Sequence, residues 1–154
     1  MSKNHNQISQ ELKLRVKDLF SSQMLCVLST DSQGQPYSNL VAFAETDDLR
    51  GIIFVTDRKT SKYNNALLNK RVAVLVDSRT NTELDFKRAL AITAIGNAEE
   101  VTGNQTQEYA RILVAKHPYL DNFVYNSNSA IIRVNIESLV VASFNRTEVM
   151  VLKA

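Results

Sequence analysis

Apolar residues recur at three- and four-residue spacing through Ile8, Leu12, Val16, Leu19 and Phe20, which predicts an N-terminal helix with one apolar stripe and Ser9 near its start. The period then changes. Met24 to Thr30 is a short apolar run, the turn-forming residues Asp31-Ser32-Gln33-Gly34-Gln35-Pro36 follow, and a second run extends from Tyr37 to Ala44. This is hairpin chemistry. Polar residues 45–51 separate the hairpin from Ile52 to Thr56, so three strands are expected in meander order.

Tyr63, Ala66 and Leu67 stand at helical spacing, and the β-branched run Val72, Val74, Leu75 and Val76 predicts a buried strand over residues 71–77. Residues 78–87 are polar and read as a loop. Leu90 to Val101 reads as a long strand in which Gly96 marks a bulge or a close backbone approach. Helical spacing returns at Tyr109, Ile112, Leu113 and Lys116, and His117-Pro118 ends that helix. Residues 130–144 and 148–152 read as two more strands. The expected fold is mainly β: a barrel of about six mostly antiparallel strands with three helices inserted, since closure removes exposed edges. A doubly wound parallel fold would need regular strand–helix alternation and a Gly-rich first turn, and no GxGxxG or GxxxxGK(S/T) occurs.

Composition narrows the function classes. The chain has 154 residues, 44% hydrophobic and 22% charged, with only four glycines and two prolines. A single domain over residues 1–154 is expected, with residues 1–20 as a helix packed on the barrel. Eighteen basic against sixteen acidic residues give +2, too small and too dispersed an excess for a nucleic-acid partner. No apolar run reaches membrane-spanning length and the N-terminus is polar, so no membrane association and a cytoplasmic location are expected. Cys26, the one cysteine, lies in an apolar strand and reads as a buried small residue. His5 and His117 fall in no ligand or triad spacing, and no metal motif is present.

The most informative stretch is Phe54-Val55-Thr56-Asp57-Arg58-Lys59-Thr60-Ser61-Lys62-Tyr63. Two hydroxyls and three cations stand at a helix entrance. Free N–H groups there favour a phosphate, Thr60 or Ser61 can cap or donate, and Arg58, Lys59 and Lys62 can neutralise it. The same pattern also describes a capped surface helix with solvated cations. A second region, Asp77-Ser78-Arg79-Thr80-Asn81, is either a ligand-contacting loop or an Asx-rich turn with an Asp77–Arg79 surface pair. Tyr119 and Tyr125 read as packing residues or part of a dimer surface.

The ordered series Ser29-Thr30, Gly34-x-Pro36, Tyr37-Ser38-Asn39-Leu40-Val41, Phe54-Val55-Thr56, Thr60-Ser61-Lys62-Tyr63-x-x-Asn65 and Arg71-Val72-Ala73 resembles the pyridoxamine 5′-phosphate oxidase-like flavoproteins. The similarity runs from about Leu19 to Leu152. It implies a split β-barrel that binds FMN at a homodimer interface, with small-molecule oxidoreduction as the activity. On this resemblance Lys62 matches the phosphate-binding lysine, and Ser61 replaces a phosphate-binding arginine whose charge Arg58 or Lys59 would supply. Val55 and Thr56 match the strand end beside the flavin, and Asn39, Leu40 and Val41 fall on the strand lining the ring. Arg79 and Asn81 match a loop near the partner subunit's flavin.

The departures are equally specific. The oxidases proper carry Arg-x-Val-Leu-Leu-Lys where this chain has Asn39-Leu40-Val41-Ala42-Phe43-Ala44, and their C-terminal Arg and His segment has no counterpart. The resemblance therefore implies a flavoprotein other than a true pyridoxamine 5′-phosphate oxidase, with no catalytic acid or base assigned. A non-enzymatic FMN-binding or electron-carrier protein is the alternative, as is a split barrel holding a deazaflavin or haem.

Overall fold

Seven strands, each antiparallel to its neighbours, dominate the computed structural model: β1 (Leu25–Ser32), β2 (Gln35–Glu45), β3 (Gly51–Asp57), β4 (Arg71–Asp77), β5 (Ala91–Glu100), β6 (Ser129–Ala142) and β7 (Thr147–Val151). The structure describes residues 5–152, with side chains from residue 10 onward. The side chains of His5, Ile8 and Ser9 lie outside the described residues. The helices are α1 (His5–Ser22), α2 (Ser61–Leu68), α3 (Asp85–Arg88), α4 (Gln105–Lys116) and α5 (Asp121–Val124), with a 3-10 turn at Pro118–Leu120.

The sheet order is β3-β2-β1-β4-β5-β6-β7, and β3 also pairs with β6. Six strands thus close into the expected barrel. β7 lies outside the closure, on the half of β6 that β3 does not reach. Residues 129–135 of β6 pair with β3, residues 138–142 pair with β7, and the register against β5 shifts at Ile95/Gly96 between the two halves. A bulge there lets one strand serve two partners. The glycine is required: a Cβ on Gly96 would stand 2.0 Å from the Asn135 carbonyl oxygen.

Two apolar clusters follow from the strand patterns. Inward residues such as Leu28, Phe43, Phe54, Val74, Ile92 and Ile132 fill the barrel, and Leu12, Val16, Leu19 and Phe20 of α1 join them. On the opposite face of β3 and β6, Ile53, Val55 and Ile131 pack beneath Tyr109, Ala110 and Leu113 of α4. Burial on both faces explains why these two strands read as continuous apolar runs. Elsewhere on the barrel's outer surface Leu25, Leu40, Ile95, Val149 and Val151 are exposed.

Two segments differ from expectation. Residues 78–87 were expected to be loop throughout but contain α3, because the Asp85 carboxylate accepts the N–H groups of Thr80 and Asn81 and folds the excursion onto itself. Tyr119 and Tyr125, read as packing residues or part of a dimer surface, are exposed, so the packing reading does not hold within the chain. The 3-10 turn and α5 bury only Val124.

Candidate functional site

β2 and β3 pair over just three positions, Phe43 with Phe54, Ala44 with Ile53 and Glu45 with Ile52, and then diverge. Beyond that point β2 stays paired with β1 as far as Gln35, and β3 stays paired with β6 as far as Asp57. Two free strand edges therefore face each other across a split. The Thr46 N–H donates to Gly51 on the β3 side and the Phe43 N–H donates to Met24 on the β1 side. The alternation of an antiparallel ladder thus turns the N–H and C=O of Leu40 and Ala42 into the split. Pro36 falls on the same edge, where its missing N–H costs no ladder bond.

Asn39, Leu40 and Val41 form one lip of the split, and Val55 and Thr56 form the other. Their side chains divide sharply. Leu40 is 68% exposed, whereas Val41 is in the barrel core and Val55 lies in the cluster under α4. The Thr56 hydroxyl is buried against the Thr60 hydroxyl at 2.9 Å. The buried Nδ2 of Asn39 has no hydrogen-bond partner, an unsatisfied donor at the lip. Backbone edges and the Leu40 side chain are what the split presents to a ligand.

At the far end of the β3 lip the chain enters α2. Thr60 occupies the N-cap position but gives no side-chain cap, because its hydroxyl turns back to the Asp57 carbonyl at 2.8 Å and to Thr56. Capping by Thr60, expected from sequence, is thus replaced by an inward bond that anchors the loop. The first turn of α2 contains no acidic residue, and among the described residues nothing accepts the N–H groups of Ser61, Lys62 and Tyr63. Free N–H groups at a helix start carry partial positive charge.

The three cations of this loop have different employment. Arg58 donates to Glu100 Oε1 at 2.5 Å and to the Ser127 and Ser129 carbonyls at 3.1 and 2.6 Å. Tyr63 donates to Glu100 Oε2 at 2.8 Å. The bond to Glu100 raises the Arg58 guanidinium above its ordinary value and likewise raises the Tyr63 phenol. Arg58 thus holds β5, β6 and the entry loop together, while the Lys59 and Lys62 side chains have no partner among the described residues. Sequence reading missed Glu100, which stands 42 residues from Arg58 and belongs to no local motif.

Arg79 and Asn81 lie elsewhere. They follow β4, two strands from β2 across the sheet, and line a separate groove on the outer surface. Arg79 Nε contacts Asp77 Oδ1 at 3.1 Å, which is the surface pair offered as one of the two readings. Asn81 adopts φ +59°, suited to a tight turn. Cys26 is buried and its thiol is pushed up to about 12, chiefly by that burial. His117 is fully buried: Nε2–H donates to the Phe43 carbonyl at 2.7 Å and Nδ1 accepts from Tyr119 at 3.1 Å. Both ring nitrogens are engaged. Among the described residues no cluster of three His, Cys, Asp or Glu side chains could hold a metal, and no helix is long and apolar enough to cross a membrane.

An antiparallel barrel opened between two strands, with a cationic helix entrance at the opening, defines a split β-barrel. Residues 12–140 match the pyridoxamine 5′-phosphate oxidase family, and the chain belongs to it. The fold resembles a heme binding protein from Mycobacterium smegmatis at TM-score 0.78 and 11% identity, over 86% of this chain and 55% of that one. It resembles a FAD-binding protein from Mesorhizobium loti at TM-score 0.65 and 18% identity, over 90% and 93% of the two chains. General Stress Protein 26 from Bacillus anthracis matches at TM-score 0.64 and 20% identity, over 92% and 99%. The chain spans only about half the length of the Mycobacterium smegmatis protein. Comparison with curated proteins finds no match.

Proposed function

We propose that the protein is an FMN-binding flavoprotein that works as a homodimer and exchanges electrons or hydride with a small molecule. The observation that carries this reading is the uncapped entrance of α2 at the end of the split, with Lys59 and Lys62 free beside it. A phosphate there would accept from the Ser61–Tyr63 amides and Lys62, a charge-assisted set that a lone surface helix does not offer. The residues present fit the rest of the group as well. The edge N–H and C=O groups of Leu40 and Ala42 suit the donors and acceptors along one side of a flat heterocycle. Bound FMN would supply the redox chemistry, and the protein's part is to orient the ring and exclude water.

The second subunit is supported by the outer face of the sheet. Leu25, Leu40, Ile95, Val149 and Val151 are exposed on the barrel's outer surface, and exposed apolar side chains suit an interface. Oxidation of pyridoxamine 5′-phosphate is not the proposed reaction, because β2 lacks the arginine and lysine of the oxidases proper.

Titration of the full chain with FMN, read by flavin fluorescence, tests the site. Lys62→Ala removes one charge-assisted bond of about 1.5–3 kcal/mol and should weaken FMN roughly 10- to 150-fold. FMN affinity that ignores this change refutes the assignment. Identifying the chromophore released on denaturation separates FMN from deazaflavin and haem, and sedimentation decides the dimer. A carrier is told from an enzyme by whether reduced flavin turns over with NAD(P)H and an acceptor.

A further inference from the structure

A carboxylate stands beside the proposed phosphate end of the split, where its charge opposes an anion. Glu100 ends β5, where it pairs with Ile132 of β6, and the N–H of Val101 after it donates to the Ile131 carbonyl. Its backbone is therefore fixed in the barrel wall. Its two oxygens serve different partners, Oε1 accepting from Arg58 at 2.5 Å and Oε2 from the Tyr63 hydroxyl at 2.8 Å.

The two partners depend on it unequally. Arg58 also donates to the Ser127 and Ser129 carbonyls, and its backbone N–H bonds to the Asn128 carbonyl, so it stays attached to the barrel without Glu100. Tyr63 has Arg58 as a further neighbour, but a guanidinium offers no lone pair to a hydroxyl proton. Glu100 is thus the acceptor that ties this phenol to β5. Tyr63 is the third residue of α2, and its own N–H is one of the three left without an acceptor among the described residues. Its ring rests against the barrel core, so ring and hydroxyl together set where the first turn of α2 points. On the loop side Thr60 is fastened to Thr56 and Asp57, which leaves the Ser61–Tyr63 turn held from both ends.

We propose that Glu100 is a positioning residue for the anion end of the site: through Tyr63 it holds the Ser61–Tyr63 N–H groups in place for a phosphate. That the phosphate belongs to FMN rests on the flavin reading above. A freed first turn would have to be ordered on binding, and refixing about one residue's backbone weakens an anion roughly tenfold. Charge alone predicts the opposite, because removing a carboxylate beside the site should strengthen a phosphate. Glu100→Gln separates the two effects. The amide oxygen still accepts from Arg58 and the amide N–H donates to the Tyr63 oxygen, so both ties survive without the charge.

The test compares FMN with riboflavin, which carries the ring but no phosphate, on the full chain by flavin fluorescence. Glu100→Ala should lower the preference for FMN about tenfold and leave riboflavin affinity in place. Tyr63→Phe, which keeps the ring packed, should lower the preference at least about threefold. Glu100→Gln should keep it at or above the parental value. Equal weakening of both flavins marks a merely structural role and overturns the proposal. So does tighter FMN binding in both Glu100 variants, a loss in Glu100→Gln as large as in Glu100→Ala, or an unchanged preference in Tyr63→Phe. Should Glu100→Ala fail to fold, the other two variants decide alone. Inorganic phosphate, followed without flavin by the amide resonances of Ser61, Lys62 and Tyr63, separates this proposal from the flavin reading. Phosphate binding with the same ranking of variants, in a chain that takes neither flavin, refutes the flavin reading and leaves Glu100 in its role; no phosphate response in such a chain overturns both.

Discussion

Gly96→Ala tests whether the bulge holds the two halves of β6 in place. The added Cβ would sit 2.0 Å from the Asn135 carbonyl oxygen, 2.8 Å from its carbon and 3.1 Å from Ile136 Cα, all backbone atoms. No rotamer change relieves this. To bring the first contact to 3.0 Å, the shortest separation a Cβ tolerates, β5 and β6 must part by about 1 Å at their crossing point. That stretches ladder bonds on either side beyond good geometry, each a net loss of about 1 kcal/mol with a further 1–3 kcal/mol if a buried group is left unpaired. The entropy gained by replacing glycine within a strand returns only about 0.5–1 kcal/mol. A net destabilisation of about 3 kcal/mol follows. Urea unfolding followed by circular dichroism should show the midpoint falling by about 1.5 M for a slope of about 2 kcal/mol/M. A midpoint within about 0.3 M of the parent's would refute the close approach and the bulge geometry built on it.

Three further outcomes follow from individual contacts. Cys26, buried and with its thiol pushed up to about 12, should not react with a disulfide reagent at pH 8 until the protein is unfolded in urea. The Asp85 carboxyl titrates below its ordinary 3.8, so its hold on residues 80–81 is complete above that pH and is lost as pH falls further. Amide exchange at Thr80 and Asn81 should therefore rise relative to neighbouring residues only as pH falls below 3.8, and Asp85→Asn should give the raised exchange already at pH 5. Lys116 donates to the Phe20 carbonyl at 2.7 Å and to Glu45 at 2.9 Å, fastening the last turn of α1 to β2. Lys116→Met should cost about 1–2 kcal/mol and speed proteolytic cleavage within α1; cleavage at the parental rate would count against that fastening.

Period and turn chemistry made most of the barrel legible, because each strand had to alternate or run apolar according to whether one face or both were covered. Arg71 to Asp77 shows an alternating burial pattern, and Ile52 to Val55 lies between two clusters and is buried throughout. The short helix α3 was not legible. Its four residues carry no period, and what forms it is the tertiary grip of Asp85 on Thr80 and Asn81. The split was only half legible. Asn39 to Val41 and Val55 to Thr56 could be placed on two strands, but that these strands stop pairing after Phe43 and Phe54 is a property of the closed barrel.

The cations of the α2 entrance show the same limit more sharply and yield the most discriminating prediction. In sequence Arg58, Lys59 and Lys62 are equivalent contributors to one positive cluster. In the fold a carboxylate 42 residues from Arg58 sorts them, since Glu100 engages Arg58 and Tyr63 and leaves the two lysines unpaired. Arg58→Gln should therefore register in stability. It loses the Glu100 bond and two carbonyl bonds at a position where the side chain is 42% exposed, which solvent screening limits to about 1 kcal/mol. Its effect on FMN affinity should stay within about threefold, near 0.6 kcal/mol. Lys62→Ala should do the reverse, leaving the urea midpoint in place while FMN weakens at least about tenfold. The two changes remove one positive charge each from the same loop, so a general loss of local potential would weaken FMN equally in both. Equal weakening would overturn the division of labour, and the cluster would then act as undifferentiated charge, the reading that sequence alone supports.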